Sequence, residues 1–125
     1  MDAFDVVIVG VGPAGAAAAR LLSHAGFKVL MLEKELSFSA NDFSSGGAPL
    51  EILNDFQLPE TVVGAYCRQI RISATQESHV WQDENPVALV LDFKKLRTFL
   101  AEEALRKDAT LFFGCAYRSH RREGA

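Results

Sequence analysis

Long apolar runs, cysteines and charge blocks are all scarce in this sequence, and each absence excludes a class of protein. No apolar stretch approaches the roughly 20 residues that a membrane-spanning helix needs. The amino terminus has no basic segment before its first apolar run, so it does not have the pattern of a secretory signal. The net charge is −3, from 13 basic and 16 acidic residues, without a long block of either sign. We therefore expect no transmembrane segment and no nucleic-acid partner.

The chain has only two cysteines, Cys67 and Cys115, and neither belongs to a C-x-x-C pair or lies near a series of histidines. This spacing predicts neither a metal site nor a redox motif. We expect both thiols to be buried and reduced, which favours the cytoplasm or an equivalent reducing compartment.

A chain of 125 residues that is 49% hydrophobic is long enough for one domain with a core, but not for a second full domain. The sequence thus predicts a single domain over residues 1–125, with an antiparallel insertion at about residues 67–92. Trp81, Phe112 and Phe113 fall in predicted strands, where packing in the core is the usual role of an aromatic residue.

The first third of the chain has the pattern of a strand, a helix and a second strand. Val6–Val9 is a short apolar, β-branched run that predicts a strand buried on both faces, as in a parallel sheet. Val29–Leu32 is a second such run, and Gly26 stands where a helix would end in the left-handed conformation. Between the strands, apolar residues recur at helical spacing and predict an inward face made of Ala14, Ala17, Ala18, Leu21, Leu22 and Ala25.

The remainder of the chain shows weaker patterns. Residues 36–48 are rich in Ser and Gly and predict an extended loop, and Pro49 can begin a short helix through Phe56. Weak alternation between residues 67 and 92 predicts two or three antiparallel strands, with a turn at residues 83–86. Asp92 can cap a helix from Phe93 to about Lys107, with Leu96, Phe99, Leu100 and Ala104 inward, before a buried strand from Thr110 to Phe113.

The segment Gly10-Val11-Gly12-Pro13-Ala14-Gly15 is a G-x-G-x-x-G motif between the first strand and the first helix. Each glycine of such a motif has its own mechanical role. Gly10 permits the tight turn out of the strand, Gly12 lets the backbone approach a diphosphate, and Gly15 allows close contact of helix and sheet. The amino-terminal end of the helix would then bind the anion through backbone N–H groups. The motif predicts dinucleotide binding.

Glu33 stands at the end of the second strand, close to the spacing of about 20 residues beyond the glycines that is typical of a ribose-binding acid. Its carboxylate would accept hydrogen bonds from the ribose hydroxyls and would repel a 2′-phosphate. This favours an unphosphorylated ribose over NADP. A solvated carboxylate at a strand end is the alternative interpretation.

The segment Asp5–Gly15, together with Leu32-Glu33-Lys34, resembles the amino-terminal fingerprint of FAD-dependent oxidoreductases, in which Gly-Pro-Ala-Gly is frequent. Leu91-Asp92 and the helix and strand that follow are similar to the geranylgeranyl reductase and aromatic-hydroxylase group, with geranylgeranyl reductase-like proteins the nearer likeness. The resemblance implies a Rossmann-like α/β fold of three layers, with a parallel sheet and a small antiparallel insertion. It also implies FAD as the cofactor and the reduction or oxygenation of an isoprenoid or other apolar small molecule.

The resemblance implies cofactor contacts at nine positions: Gly10, Gly12, Pro13, Ala14, Gly15, Glu33, Lys34, Gly46 and Gly47. The last two belong to a loop, Ser44–Ala48, that falls where the family has a glycine-containing loop near the flavin ring. Where the family often has an arginine near the cofactor, this sequence has Phe93, with Lys94 and Arg97 as candidate substitutes. The later Gly-Asp motif of the family has no counterpart here. We therefore expect the chain to be an incomplete FAD-binding domain or a truncated gene product.

The sequence nominates no catalytic residue, because flavin enzymes leave electron transfer to the cofactor while the protein supplies binding and orientation. The three histidines lack an identifiable nucleophile or carboxylate partner and are interpreted as surface or core residues. Two alternatives stay open at this point. The chain can be a dinucleotide-binding module without catalytic activity, or an NAD-dependent dehydrogenase domain, which the predicted antiparallel insertion disfavours.

Overall fold

The computed structural model describes residues 3–40 and 44–124, which form two compact units, 3–40 with 97–124 and 44–96. One 3-10 turn, Glu60–Val62, precedes the fourth strand. The strands and helices in chain order are β1 (Val6–Val9), α1 (Pro13–His24), β2 (Val29–Leu32), β3 (Gly47–Ala48), α2 (Ile52–Asp55), β4 (Val63–Cys67), β5 (Gln69–Ser73), β6 (Ser78–Gln82), β7 (Ala88–Leu91), α3 (Phe93–Leu105) and β8 (Thr110–Phe112). Helices with a parallel sheet and antiparallel strands confirm the predicted α/β class.

The first unit contains a parallel sheet in the order β1-β2-β8. In its register Ile8 pairs with Met31, and Met31 pairs with Leu111, so these three side chains share one face of the sheet. Val29 and Met31 are fully buried on that face. The predicted strand, helix and strand at the amino terminus are therefore confirmed, with the strand bounds as expected.

Helix α1 begins at Pro13 and ends at His24, and Gly26 follows it in the left-handed conformation at φ +90°, as predicted. The predicted inward face is wrong. The buried positions are Ala16, Ala19 and Ser23, whereas four of the positions predicted to face inward are exposed: Ala14, Ala18, Leu21 and Ala25. The reason is that close contact at Gly15 sets the rotation of the helix on the sheet, and a helix rich in alanine offers no pattern that shows this rotation.

The expectations that β1 is buried on both faces and that β8 is a buried strand are also wrong. Val7, Val9 and Phe112 lie on the other face of the same sheet and are 52%, 53% and 52% exposed. Trp81 and Phe113, predicted to pack in the core, are exposed as well. An apolar run specifies strand conformation, but it does not specify that a second layer covers each face.

The second unit is built on antiparallel pairing, with β7 between β3 and β4. Leu89 and Val62 are its most deeply buried side chains. Strands β5 and β6 pair separately as a hairpin whose residues are all exposed. Three strands with antiparallel pairing, β5, β6 and β7, lie within residues 67–92, which confirms the prediction of two or three, while β4 precedes them and ends at Cys67. The turn at residues 83–86 separates β6 from β7 as expected.

The loop predicted over residues 36–48 is interrupted at its end, because Gly47 and Ala48 pair with Val90 and Leu89 and form β3. Residues 41–43 of that predicted loop lie outside the described part of the chain. The helix predicted from Pro49 to Phe56 is confirmed in its centre, as α2 covers Ile52–Asp55.

Helix α3 begins after Asp92, whose Oδ1 accepts a hydrogen bond from the backbone N–H of Lys95 at 3.0 Å. The predicted cap is confirmed. Leu96, Leu100 and Ala104 are buried as predicted, Phe99 is half-buried, and the helix ends at Leu105, two residues before the predicted end. The single-domain organisation over residues 1–125 stays a prediction.

Candidate functional site

The glycine motif forms the connection between β1 and α1, and two of its glycines are required by the chain itself. Gly10 leaves β1 with φ +89°, a left-handed conformation that residues with a Cβ rarely adopt. Its N–H donates to the carbonyl oxygen of Leu32 at 2.8 Å, which ties the turn to β2. A Cβ on Gly15 would lie 2.0 Å from the Gly10 carbonyl oxygen and 3.3 Å from Cγ2 of Ile8. The predicted mechanical roles of Gly10 and Gly15 fit this geometry.

Gly12 differs from the other two glycines, because nothing in the described structure demands a glycine there. It has φ −70° and ψ −178°, an ordinary extended conformation, and a Cβ placed on it would meet no atom within 4 Å. The space beside its backbone is open. A glycine that neither backbone strain nor a protein neighbour explains is what a site for close approach of a ligand requires.

The amino-terminal end of α1 faces this open space without a side-chain cap. Gly12 is the N-cap residue, and the first turn contains neither a capping side chain nor an acidic residue. Pro13 at the first helical position is half-buried and has no N–H, while Ala14 is exposed. The first N–H groups of a helix have no partner within the helix, and together they carry partial positive charge. This end of α1 can therefore accept an anion such as a phosphate.

Glu33 lies at the carboxyl end of β2 and is only 7% exposed. Its Oε2 accepts a hydrogen bond from the N–H of Val11 at 2.9 Å, and its Oε1 accepts one from the N–H of Glu35 at 3.1 Å. The carboxylate is therefore directed at the glycine motif, 22 residues earlier in the chain. The alternative interpretation of a solvated carboxylate at a strand end is wrong.

These two hydrogen bonds leave lone pairs free on the Glu33 carboxylate, since an ionised carboxylate can accept about four hydrogen bonds. The group is held by main-chain donors on two sides, so its position is fixed before any ligand arrives. A fixed acceptor beside the open space at Gly12 can receive hydroxyl groups from a ligand whose phosphates lie on the helix end. The arrangement suits a molecule that carries hydroxyls and a diphosphate a short distance apart.

The remaining predicted site residues have other surroundings. Lys34 is exposed, with Nζ 3.7 Å from Oε1 of Glu35. Gly46 and Gly47 belong to the second unit, where Gly46 accepts a hydrogen bond from the N–H of Leu91 at 2.8 Å. A Cβ on Gly46 would lie 2.5 Å from the Leu91 carbonyl oxygen, whereas one on Gly47 would meet nothing within 4 Å. Contacts of these three residues with a cofactor stay predictions.

Sequence reasoning missed the use of Val11 and Glu35 as backbone donors to Glu33, since backbone hydrogen bonds leave no mark in the sequence. It named Arg97 only as a substitute for a family arginine. In the structure Arg97 is buried in α3, and its Nη2 donates to the carbonyl oxygens of Phe38 and Ala40. A charged residue among inward-facing positions of α3, between Leu96 and Leu100, was the available signal. Lys94, the other substitute, is exposed.

Among the described residues, neither a histidine nor a metal-binding group adds to this site. His24 lies near the end of α1, 3.9 Å from Oε2 of Glu103, as a partly exposed pair of the kind that contributes little stability. Within residues 3–40 and 44–124, no group of three or more His, Cys, Asp or Glu side chains could hold a metal ion.

Comparison with known proteins provides the context for this geometry. The sequence model of a family described as "FAD binding domain" matches residues 3–125. The chain is 29% identical over 106 residues to a digeranylgeranylglycerophospholipid reductase of Haloferax volcanii, covering 82% of the chain and 25% of that protein. It is 30% identical over 119 residues to the protein of the same name from Thermoplasma acidophilum, covering 90% of the chain and 30% of that protein.

A solved structure of a geranylgeranyl reductase-like protein is also similar to this chain. The geranylgeranyl bacteriochlorophyll reductase-like protein of Thermoplasma acidophilum matches with a TM-score of 0.77 and 28% identity, over 89% of this chain and 30% of that chain. The chain thus spans between a quarter and a third of the length of these relatives.

Proposed function

The chain belongs to the FAD binding domain family, and we propose that its glycine motif and Glu33 hold the ADP half of FAD in an oxidoreductase that acts on an apolar substrate. Family membership confirms the predicted resemblance, the Rossmann-like α/β class and FAD as the cofactor. The chain is thus an FAD-binding domain of the flavin-dependent oxidoreductases. The individual contacts, the reaction and the substrate of the whole protein are the subject of the proposal.

The open space at Gly12 is the observation that carries the proposal. The fold itself accounts for the glycines at positions 10 and 15. Gly12, in contrast, has ordinary dihedral angles, and a Cβ added to it would meet no atom within 4 Å. The uncapped end of α1 lies at this position, and the buried carboxylate of Glu33 is directed at the N–H of Val11 beside it. A diphosphate and a ribose are the two groups that use such features together.

In this proposal each part of the site binds a different group of FAD. The N–H groups at the start of α1 bind the diphosphate, with Pro13 and Ala14 forming the first turn against it. The free lone pairs of Glu33 accept the ribose hydroxyls, and the exposed Lys34 that follows it is a further proposed contact. The predicted contacts of Gly46 and Gly47 with the flavin remain part of the proposal. Bound FAD supplies the electron-transfer chemistry, and the protein supplies binding and orientation.

The proposed substrate is an isoprenoid or another apolar small molecule, and the proposed reaction is a reduction. The names of the two reductases from Haloferax volcanii and Thermoplasma acidophilum support this choice. The oxygenating branch of the wider group is the second reaction that the family allows. A binding module without catalysis is the alternative function for the chain by itself.

We also propose that the protein works in a reducing compartment such as the cytoplasm. Cys67 and Cys115 are both free, which supports this location, although they are half-buried rather than buried as expected. In the part of the chain that the structure describes, no helix is long and apolar enough to cross a membrane.

Titration with FAD, ADP and NAD tests the proposal, with the unmodified chain compared with Gly12→Val. We expect the variant to lose affinity for FAD and ADP by at least about tenfold, equivalent to 1.4 kcal/mol, because the valine side chain fills the space for the diphosphate. Ala18→Val adds the same branched side chain at an exposed position of α1 and should bind like the unmodified chain.

Equal affinity of Gly12→Val and Ala18→Val for FAD would refute the assignment of the diphosphate to this helix end. Binding of NAD in preference to FAD would favour the dehydrogenase alternative. If FAD binds as expected but the full-length protein reduces no isoprenoid substrate, the alternative of a binding module gains support.

A further inference from the structure

Arg97 carries a positive charge into the interior of the first unit. The residue is 6% exposed, and it lies on the side of α3 that also buries Leu100 and Ala101. Its Nη2 donates to two carbonyl oxygens of the segment that follows β2, those of Phe38 and Ala40, the latter at 2.8 Å. The guanidinium also lies over the ring of Phe38, with Cζ 5.6 Å from the ring centroid. One side chain therefore contacts two sites along residues 38–40.

The surroundings of Arg97 make these contacts costly to lose. In the described ranges no salt bridge joins Arg97 to an acidic side chain, and its buried Nε has no hydrogen-bond partner. A buried charge must be compensated, because desolvation of an unpaired ion is strongly unfavourable. Here the two carbonyl oxygens and the ring of Phe38 supply that compensation. Movement of residues 38–40 away from α3 would remove both hydrogen bonds and the ring contact from this buried guanidinium.

The same segment is continuous with the contacts of Glu33. The N–H of Glu35 donates to Oε1 of Glu33, and the carbonyl oxygen of Glu35 accepts from the N–H of Gly114 at 2.9 Å. Further along, the ring of Phe38 packs edge-on against Phe113 with 5.0 Å between centroids. Residues 33–40 are thus held at the Glu33 end by β8 and its extension and at the other end by Arg97.

We propose that Arg97 is a positioning residue for the cofactor site, which keeps residues 35–40 in place so that Glu35 holds the carboxylate of Glu33 toward an adenosine ribose. The inference rests on the proposed function, because it assigns the ribose to Glu33. Arg97 acts through the backbone segment and not by contact with the ligand. A lysine cannot replace it fully, since its ammonium group lacks the flat guanidinium surface that lies over the ring of Phe38.

The test is the preference of the chain for ADP over 2′-phospho-ADP, measured by calorimetric titration of the unmodified chain, Arg97→Met, Arg97→Lys and Lys107→Met. A fixed carboxylate repels the 2′-phosphate, so loosening the segment should reduce the preference. We expect Arg97→Met to lower the preference by about tenfold and Arg97→Lys to lower it less. Lys107→Met removes an exposed cation beyond the end of the same helix and should leave the preference unchanged.

The double variant Arg97→Met with Glu33→Gln separates positioning from general damage. If Arg97 acts through Glu33, the two substitutions together should reduce the preference no further than Glu33→Gln alone. If Arg97→Met fails to fold in a thermal melt, Arg97→Lys carries the test, because it retains the charge. An unchanged preference in folded Arg97→Lys and Arg97→Met would overturn the inference alone. Failure of the unmodified chain to bind ADP would overturn the proposed function as well.

Discussion

Both faces of the parallel sheet carry mostly apolar side chains, but the exposure of these side chains differs between the faces. Val29 and Met31 on one face are fully buried, whereas Val7 and Val9 on the other are each about half exposed, at 52% and 53%. Side chains of a strand point alternately to the two faces, so neighbouring residues in one run of four apolar residues can differ in exposure. Strand patterns therefore identify the sheet, while the layers above and below it follow from tertiary contacts that the runs do not encode.

The face that buries Val29 and Met31, the covered face, is also the face that leads to the proposed cofactor site. Glu33 has the same parity as Val29 and Met31, so its carboxylate continues the buried row beyond the end of β2. Gly15 brings α1 against Ile8 on this face, and the open space at Gly12 lies at the start of the same helix. Packing on one face of the sheet thus positions both the helix end and the acid, and a disturbance of that packing should damage stability and binding together.

The substitution Gly15→Ala should have the largest effect, because it disrupts the packing of α1 on the covered face of the sheet. Its Cβ would lie 2.0 Å from the Gly10 carbonyl oxygen, a backbone atom that can move only if the whole connection shifts. We expect a loss of at least about 4 kcal/mol in the free energy of unfolding, in the range reached by severe overpacking, together with loss of FAD binding. Urea denaturation followed by circular dichroism measures the first effect. Gly12→Ala is the control, because a Cβ there meets no atom within 4 Å, and it should retain stability. Equal stability of the two variants would show that α1 does not pack as described.

The substitution Met31→Ala should have the second-largest effect. Met31 is among the largest fully buried side chains, and its loss would leave a cavity between the sheet and the helix. We expect destabilisation by about 3 kcal/mol, typical of a large-to-small change in a core, with weaker FAD binding that follows from the loosened packing because Met31 itself is not a proposed ligand contact. Thermal and urea unfolding of the variant measure this, and added FAD should restore part of the stability by mass action. A loss below about 1 kcal/mol would place Met31 outside the core.

Local patterns predicted the elements near the site better than the way they pack. The bounds of β1 and β2, the start of α1 at Pro13 and the cap of α3 by Asp92 all follow from short-range signals. The inward face of α1 did not, because its alanines can pack in more than one rotation and the contact at Gly15 decides between them. For the candidate site, the spacing predicted the three glycines and Glu33.

What the sequence could not supply were the contacts that fix the acid and its segment. The hydrogen bonds from the N–H groups of Val11 and Glu35 depend on backbone geometry that any residue could provide. Arg97 was visible as a charge on an apolar face, but its acceptors are carbonyl oxygens 57 and 59 residues earlier. Such partners are defined only after β2, α3 and β8 have assembled.

The smallest expected effect comes from Val9→Thr, which tests whether the sheet face that carries Val7 and Val9 is exposed to solvent in solution. Threonine has nearly the shape of valine, and a hydroxyl at a position that is 53% exposed can bond to water. We expect a change in the free energy of unfolding of less than about 0.5 kcal/mol, as for other surface substitutions. Val29→Thr makes the same chemical change on the covered face, where the residue is fully buried, and should cost about 2 kcal/mol through an unsatisfied hydroxyl. A cost at Val9 equal to that at Val29 would mean that the face is covered in solution. Concentration dependence of the unfolding midpoint would then show whether a second copy covers it.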